Sequence, residues 1–210
     1  MRIKICGLTQ AEQCQAVARL GVHALGFICV PSSPRFVPPD RLFELLQELP
    51  PFLTRVGVFA DSPLIEIVQQ VRATGLNAVQ LHGQESPEDC RELCQALPGV
   101  EIIRAIRLQS PDQLVTLIPY WPHISAVLLD AYQPGQLGGT GQPLAWSTLV
   151  HFQPPKPWVL AGGLTPENIS TALTTLNPAG IDVSSGVESD PGIKDLTRVR
   201  HLLEVIHQLK

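Results

Sequence analysis

Two side chains suited to proton transfer stand where short apolar runs stop. Cys6 closes Arg2-Ile3-Lys4-Ile5-Cys6, one step before Gly7, and Asp130 closes Ala126-Val127-Leu128-Leu129. A thiolate is a general base and a carboxylic acid a general acid. Strand alternation places Lys4 and Cys6 on one face, where the lysine's charge would lower the thiol pKa. The alternative readings are a small inert core cysteine and an aspartate that caps a loop.

Other polar candidates fall at similar places. Arg35 sits between Pro34 and Phe36 and reads either as a guanidinium fork for a carboxylate or as a solvated loop arginine. Gln80 and His82 end another run, and His82 fits a hydrogen-bonding role better than that of a base. Asp61, Arg104, Arg107 and Asp182 also lie at run ends. Gly162 and Gly163 follow Trp158-Val159-Leu160, and Ser184-Ser185-Gly186 follows Gly180 to Val183. Such small-residue loops let backbone N–H groups turn toward an anion. The glycine-rich loop 135–141, ending at Gly141, offers the same donors or a movable lid. It is neither a P-loop nor a dinucleotide fingerprint. The histidines and carboxylates lack the spacing of a metal site, so no metal is expected.

These residues need elements to bring them together. Eight short apolar runs, each followed by a helix-like stretch, alternate along the 210 residues. That pattern predicts a parallel sheet covered by helices. Eight nearly equal units favour closure into an α/β (β/α)8 TIM barrel over an open sheet, because closure hides both edges. Strand ends then share one mouth, and the seventh and eighth are where such barrels hold phosphate. Local signals set the helices. Thr9 with Glu12 and Ser86 with Asp89 predict capping boxes, Thr165-Pro166 starts a helix, and Ser110-Pro111 predicts a fifth helix after strand five.

Composition narrows the class. The length suits one compact domain over residues 1–210, and 44% hydrophobic against 16% charged residues describes a sizeable core. A formal charge of -4 argues against a nucleic-acid partner. No apolar run is long enough to span a membrane and no secretory signal opens the chain, so the expected place is the cytoplasm. The five cysteines form no metal-like pairs, and structural disulfides are not expected. A monomer and a homodimer are both compatible with the sequence.

Read in order, a set of segments resembles one known family. They are Lys4-Ile5-Cys6-Gly7-Leu8-Thr9, Gly26-Phe27 with Ser33-Pro34-Arg35, Val79-Gln80-Leu81-His82-Gly83, and Leu129-Asp130 with Gly138-Gly139-Thr140-Gly141. Leu160-Ala161-Gly162-Gly163-Leu164, Asp182-Val183-Ser184-Ser185-Gly186-Val187-Glu188 and Pro191-Gly192-Ile193-Lys194-Asp195 complete it. Together they resemble the phosphoribosylanthranilate isomerases of tryptophan biosynthesis. The resemblance implies a cofactor-free Amadori rearrangement of a small phosphorylated substrate, with Asp130 as acid and Cys6 as base. It places Arg35 at the substrate carboxylate, Asp182 near the sugar hydroxyls, and Gly141, Gly162, Gly163, Ser185 and Gly186 around the phosphate. Lys4, Gln80 and His82 join the binding set. The rivals are another phosphosugar isomerase barrel, such as the histidine-pathway aminoaldose isomerase, which would use carboxylates as both acid and base, and a barrel that binds phosphate without catalysis.

Overall fold

Alternation along each apolar run decides which way its side chains point, and in eight of them one set points into a closed ring. The computed structural model describes residues 1–131 and 146–209. Its strands are β1 (Arg2–Cys6), β2 (Ala24–Ile28), β3 (Thr54–Phe59), β4 (Ala78–Leu81), β5 (Glu101–Leu108), β6 (Ala126–Ala131), β7 (Trp158–Ala161) and β8 (Gly180–Val183). They pair in parallel in sequence order, and β8 returns to β1 to close the barrel. This is the (β/α)8 fold expected from the alternating pattern.

The register separates two apolar layers. Ala24, Val56, Ala78, Ile103, Ala105, Leu128 and Ala161 fill the barrel interior. The outward residues, among them Ile3, Ile5, Leu25, Phe27, Leu81 and Leu129, pack beneath the helices. Small alanines dominate the inner layer, which leaves room above it for the long Lys4 side chain.

The helices are α1 (Ala11–Arg19), α2 (Pro39–Gln47), α3 (Leu64–Thr74), α4 (Pro87–Ala96), α5 (Ile169–Thr175) and α6 (Leu196–Gln208). Gly75 ends α3 in the left-handed conformation (φ 83°), and Ser86 with Asp89 forms the expected capping box on α4. Asp195 caps α6 by accepting from the Thr197 and Arg198 amides. Among the described residues, no helix is long and apolar enough to cross a membrane.

Three local expectations are corrected. The Thr9 hydroxyl does not cap α1, which starts after Gln10 without a side-chain cap; it donates instead to the Gly192 carbonyl at 2.8 Å. The fifth helix is a 3₁₀ segment, Pro111–His123. Pro119 and Pro122 inside it have no N–H to continue an α-helical ladder. The third correction concerns the start of α5. Thr165 accepts from the Glu167 amide and Asn168 Oδ1 accepts from the Thr165 amide, yet the helix itself begins at Ile169. After β8 the chain also makes a hairpin absent from the expected pattern, β9 (Glu188–Asp190) against β10 (Ile193–Lys194), turned at Gly192.

Candidate active site

Lys4 and Asp182 are direct neighbours in the β1–β8 register, and Cys6 faces Gly26 in the β1–β2 register. Lys4 Nζ lies 2.9 Å from Asp182 Oδ2 and 2.9 Å from Gln80 Oε1, so three strands meet at one buried ammonium. Because an ammonium only donates, Gln80 must turn its oxygen toward Lys4 and its amide nitrogen toward His82 Nδ1, 3.3 Å away. His82 Nδ1 then accepts, and the neutral ring carries its proton on Nε2. That nitrogen faces Asp130 Oδ2 at 3.6 Å. A polar path thus runs from Asp182 through Lys4, Gln80 and His82 to Asp130, linking β8, β1, β4 and β6. His82 is a hydrogen-bonding residue in this path.

Asp130 occupies an inward position at the end of β6, opposite Arg107 in the β5–β6 register, with the Arg107 Nε 4.0 Å from its carboxylate. Cys6 is buried at the end of β1, with β7 and β8 standing between it and Asp130 around the ring. Its thiol departs from the expectation drawn for it. Burial, the largest influence, pushes it above the ordinary thiol value, and Asp182 adds to the rise. Lys4 pulls it down but is outweighed. For Lys4, burial alone would lower the ammonium, and Asp182 and Cys6 outweigh that and hold it above its usual value. Cys14, Cys29 and Cys90 are pushed by burial to about 12 and are read as packing residues.

Asp182 Oδ1 is buried with no hydrogen-bond partner among the described residues, and so is His82 Nε2. Both atoms belong to the polar path, and both retain capacity for a ligand's hydroxyl or oxygen. Gly162 and Gly163 follow β7 with φ of 91° and 62°, values that a side chain would strain. Ser185 and Gly186 open the 3₁₀ turn after β8. A Cβ on Gly186 would lie 1.9 Å from the Leu164 carbonyl oxygen, so only glycine lets the β7 and β8 loops pack this closely. Gly141 and the loop 135–141 lie outside the described residues.

Two run-end residues do not join the mouth. Arg104 points outward, bonding the Leu81 and Gly83 carbonyls and Glu85 and lying 5.4 Å from the Tyr120 ring centre. Asp61 braces the neighbouring loops, with its amide on Glu85 Oε1 and its carboxylate on the Gln84 amide. Arg35, by contrast, reaches the rim, where its stem packs against Gly7, the residue after Cys6. Its guanidinium is held by Glu188, whose carboxylate also receives Lys194 Nζ at 2.6 Å. Glu188 and Lys194 lie in the family-like segments 182–188 and 191–195, and the sequence alone assigns neither a role. Their six-residue separation across a Pro-Gly turn fits no helix or strand period, and Gly192 was the one signal that a turn brings them together. Among the described residues, no group of three or more His, Cys, Asp or Glu side chains could hold a metal ion.

A family model for N-(5'-phosphoribosyl)anthranilate (PRA) isomerase matches residues 3–205. The chain belongs to the phosphoribosylanthranilate isomerase family. It is therefore an isomerase of tryptophan biosynthesis. A family member from Rippkaea orientalis, N-(5'-phosphoribosyl)anthranilate isomerase, is 53% identical over 208 residues, covering 99% of this chain and 97% of that one. The crystal structure of phosphoribosyl anthranilate isomerase from Thermotoga maritima superposes with a TM-score of 0.89 at 33% identity, covering 99% of both chains. Another crystal structure of a phosphoribosyl anthranilate isomerase is in complex with reduced 1-(o-carboxyphenylamino)-1-deoxyribulose 5-phosphate. It superposes with a TM-score of 0.87 at 32% identity over 99% of both chains.

Proposed function

We propose that the chain converts N-(5-phosphoribosyl)anthranilate to 1-(2-carboxyphenylamino)-1-deoxyribulose 5-phosphate, with Asp130 as general acid and Cys6 as general base. The observation that carries this division is the inward placement of both groups at one mouth, on β6 and β1 with two strands between them. A sugar held between them presents its ring oxygen to one and its C2–H to the other.

Asp130 gives its proton to the ribose ring oxygen as the C1–O bond breaks, and the anthranilate nitrogen supplies the electron pair that makes the Schiff base. The Cys6 thiolate then takes the C2 proton, and the C–H electron pair moves toward C1 to give the enolamine. Loss of the C2 hydroxyl proton and gain of one at C1 produce the ketone. The substrate's own nitrogen acts as the electron relay, so the reaction calls for no cofactor.

Arg35 binds the anthranilate carboxylate. Asp182 accepts from the sugar hydroxyls through its unpaired Oδ1, and Lys4, Gln80 and His82 form the polar floor beneath the sugar. Backbone amides at Gly162, Gly163, Ser185 and Gly186 hold the phosphate, a role that also extends to Gly141. The reaction takes place in the cytoplasm, in a monomer or a homodimer. A purified sample tests the substrate assignment: it must consume phosphoribosylanthranilate with loss of anthranilate fluorescence, and an absence of turnover would overturn it.

A further inference from the structure

A guanidinium has two edges that each take a carboxylate in bidentate fashion, the side edge (Nε and Nη2) and the end edge (Nη1 and Nη2). In Arg35 the side edge is in use. Nε lies 2.9 Å from Glu188 Oε1 and Nη2 lies 2.6 Å from Glu188 Oε2. Nη1 has no hydrogen-bond partner among the described residues. Exposure divides the same way: the Arg35 side chain is 23% exposed, Glu188 only 5% and Lys194 not at all.

We propose that Glu188 and Lys194 are positioning residues that clamp Arg35 by its side edge, leaving the end edge aimed at the substrate's carboxylate. The proposal deepens the role given to Arg35 above and rests on it.

The hairpin supplies the clamp. Lys194 pairs with Glu188 across β9 and β10, so its ammonium meets the same carboxylate and also the Ser184 carbonyl at 3.3 Å. The Gly192 amide adds a further donor to Glu188 Oε1 at 3.2 Å. Gly7 then abuts the Arg35 stem, since a Cβ on it would lie 2.7 Å from Arg35 Cδ. Two cations against one carboxylate leave one net positive charge at the rim, which a single substrate carboxylate balances. A fork held in advance loses little freedom when the ligand arrives, and this raises affinity for the carboxylated ring.

The test compares binding of the reduced product with binding of its counterpart lacking the ring carboxylate, by fluorescence titration, alongside KM and kcat. The variants are Glu188→Gln and the double variant Glu188→Gln/Lys194→Met. The double variant is included because Glu188→Gln alone leaves a buried lysine without its counter-charge. Both should reduce the preference for the carboxylated ligand about tenfold and raise KM; kcat should stay within about threefold of wild type in Glu188→Gln, while the double variant, which also removes the Lys194 charge that lowers the Cys6 thiol, is judged on the binding preference. An unchanged preference, or equal weakening toward both ligands, overturns the positioning role. If wild type and Arg35→Ala show no preference for the carboxylated ligand, the role of Arg35 itself is wrong, which is a separate outcome.

Discussion

Gly26 lies opposite Cys6 across the parallel pairing of β1 and β2, and a Cβ built on it would sit 2.6 Å from the Cys6 sulfur and 2.9 Å from Lys4 Cε. The thiol and the lysine stem occupy the space a side chain would need. Gly26→Ala should therefore displace both, costing about 1–3 kcal/mol by overpacking and lowering turnover about ten- to a hundredfold through misplacement of the base. Thermal melts and steady-state kinetics check the two effects separately. A variant of wild-type activity would mean that the sulfur's position is not critical.

The pH profile should carry the signature of a buried thiol. A base acts only when deprotonated, and burial raises Cys6 above the ordinary thiol value. Activity should consequently climb through pH 7 to about 9 without reaching its plateau below the ordinary thiol pKa. Measured as kcat/KM, this limb should vanish in Cys6→Ala together with the activity. A flat profile over that range in the wild type would contradict the assignment of the base.

The Lys4–Asp182 pair should be costly to break from one side. Their side chains are only 8% and 9% exposed, so either partner alone is a buried charge. Lys4→Met is expected to destabilise the fold by about 3–5 kcal/mol in urea unfolding. The double variant Lys4→Met/Asp182→Asn should lose less than the single one, since it leaves no lone charge. Equal losses would mean that the pair contributes through packing instead.

Glu188 makes a prediction about acid. Burial pushes its carboxyl up, but hydrogen bonds from Arg35 and Lys194 outweigh that and hold it below the usual carboxylate value of 4.5. A depressed folded pKa gives stability that is present above the unfolded value and lost as pH falls through the folded one. Melting temperatures recorded from pH 7 down to about 3 should fall more steeply in wild type than in Glu188→Gln below about 4.5. Parallel curves would exclude the contribution.

Much of the candidate site's geometry is legible at strand ends, because alternation and the position of each apolar run determine what reaches the mouth. Alternation puts Cys6, Lys4, Gln80, Asp130 and Asp182 on the inward set, where the register has them, and the barrel follows from the repeat of eight units. The misses share a physical cause: they depend on partners far along the chain or on burial. Glu188 stands 153 residues from Arg35, and the Thr9 hydroxyl leaves its own helix for Gly192. Lys4 does pull on the Cys6 thiol as alternation predicts, but desolvation, which no local pattern reveals, is larger. Arg104 illustrates parity within a strand. It lies on the outward set, one step from the inward Ile103 and Ala105, and so braces the outer loops instead of the mouth.

The central claim is that Asp130 and Cys6 divide the proton transfers between them. Loss of anthranilate fluorescence, followed for wild type, Cys6→Ala and Asp130→Asn beside binding of the reduced product, tests it most directly. Each variant should bind the product analogue and turn over substrate at least about a hundredfold more slowly than wild type. Unaltered turnover in either variant would contradict the account.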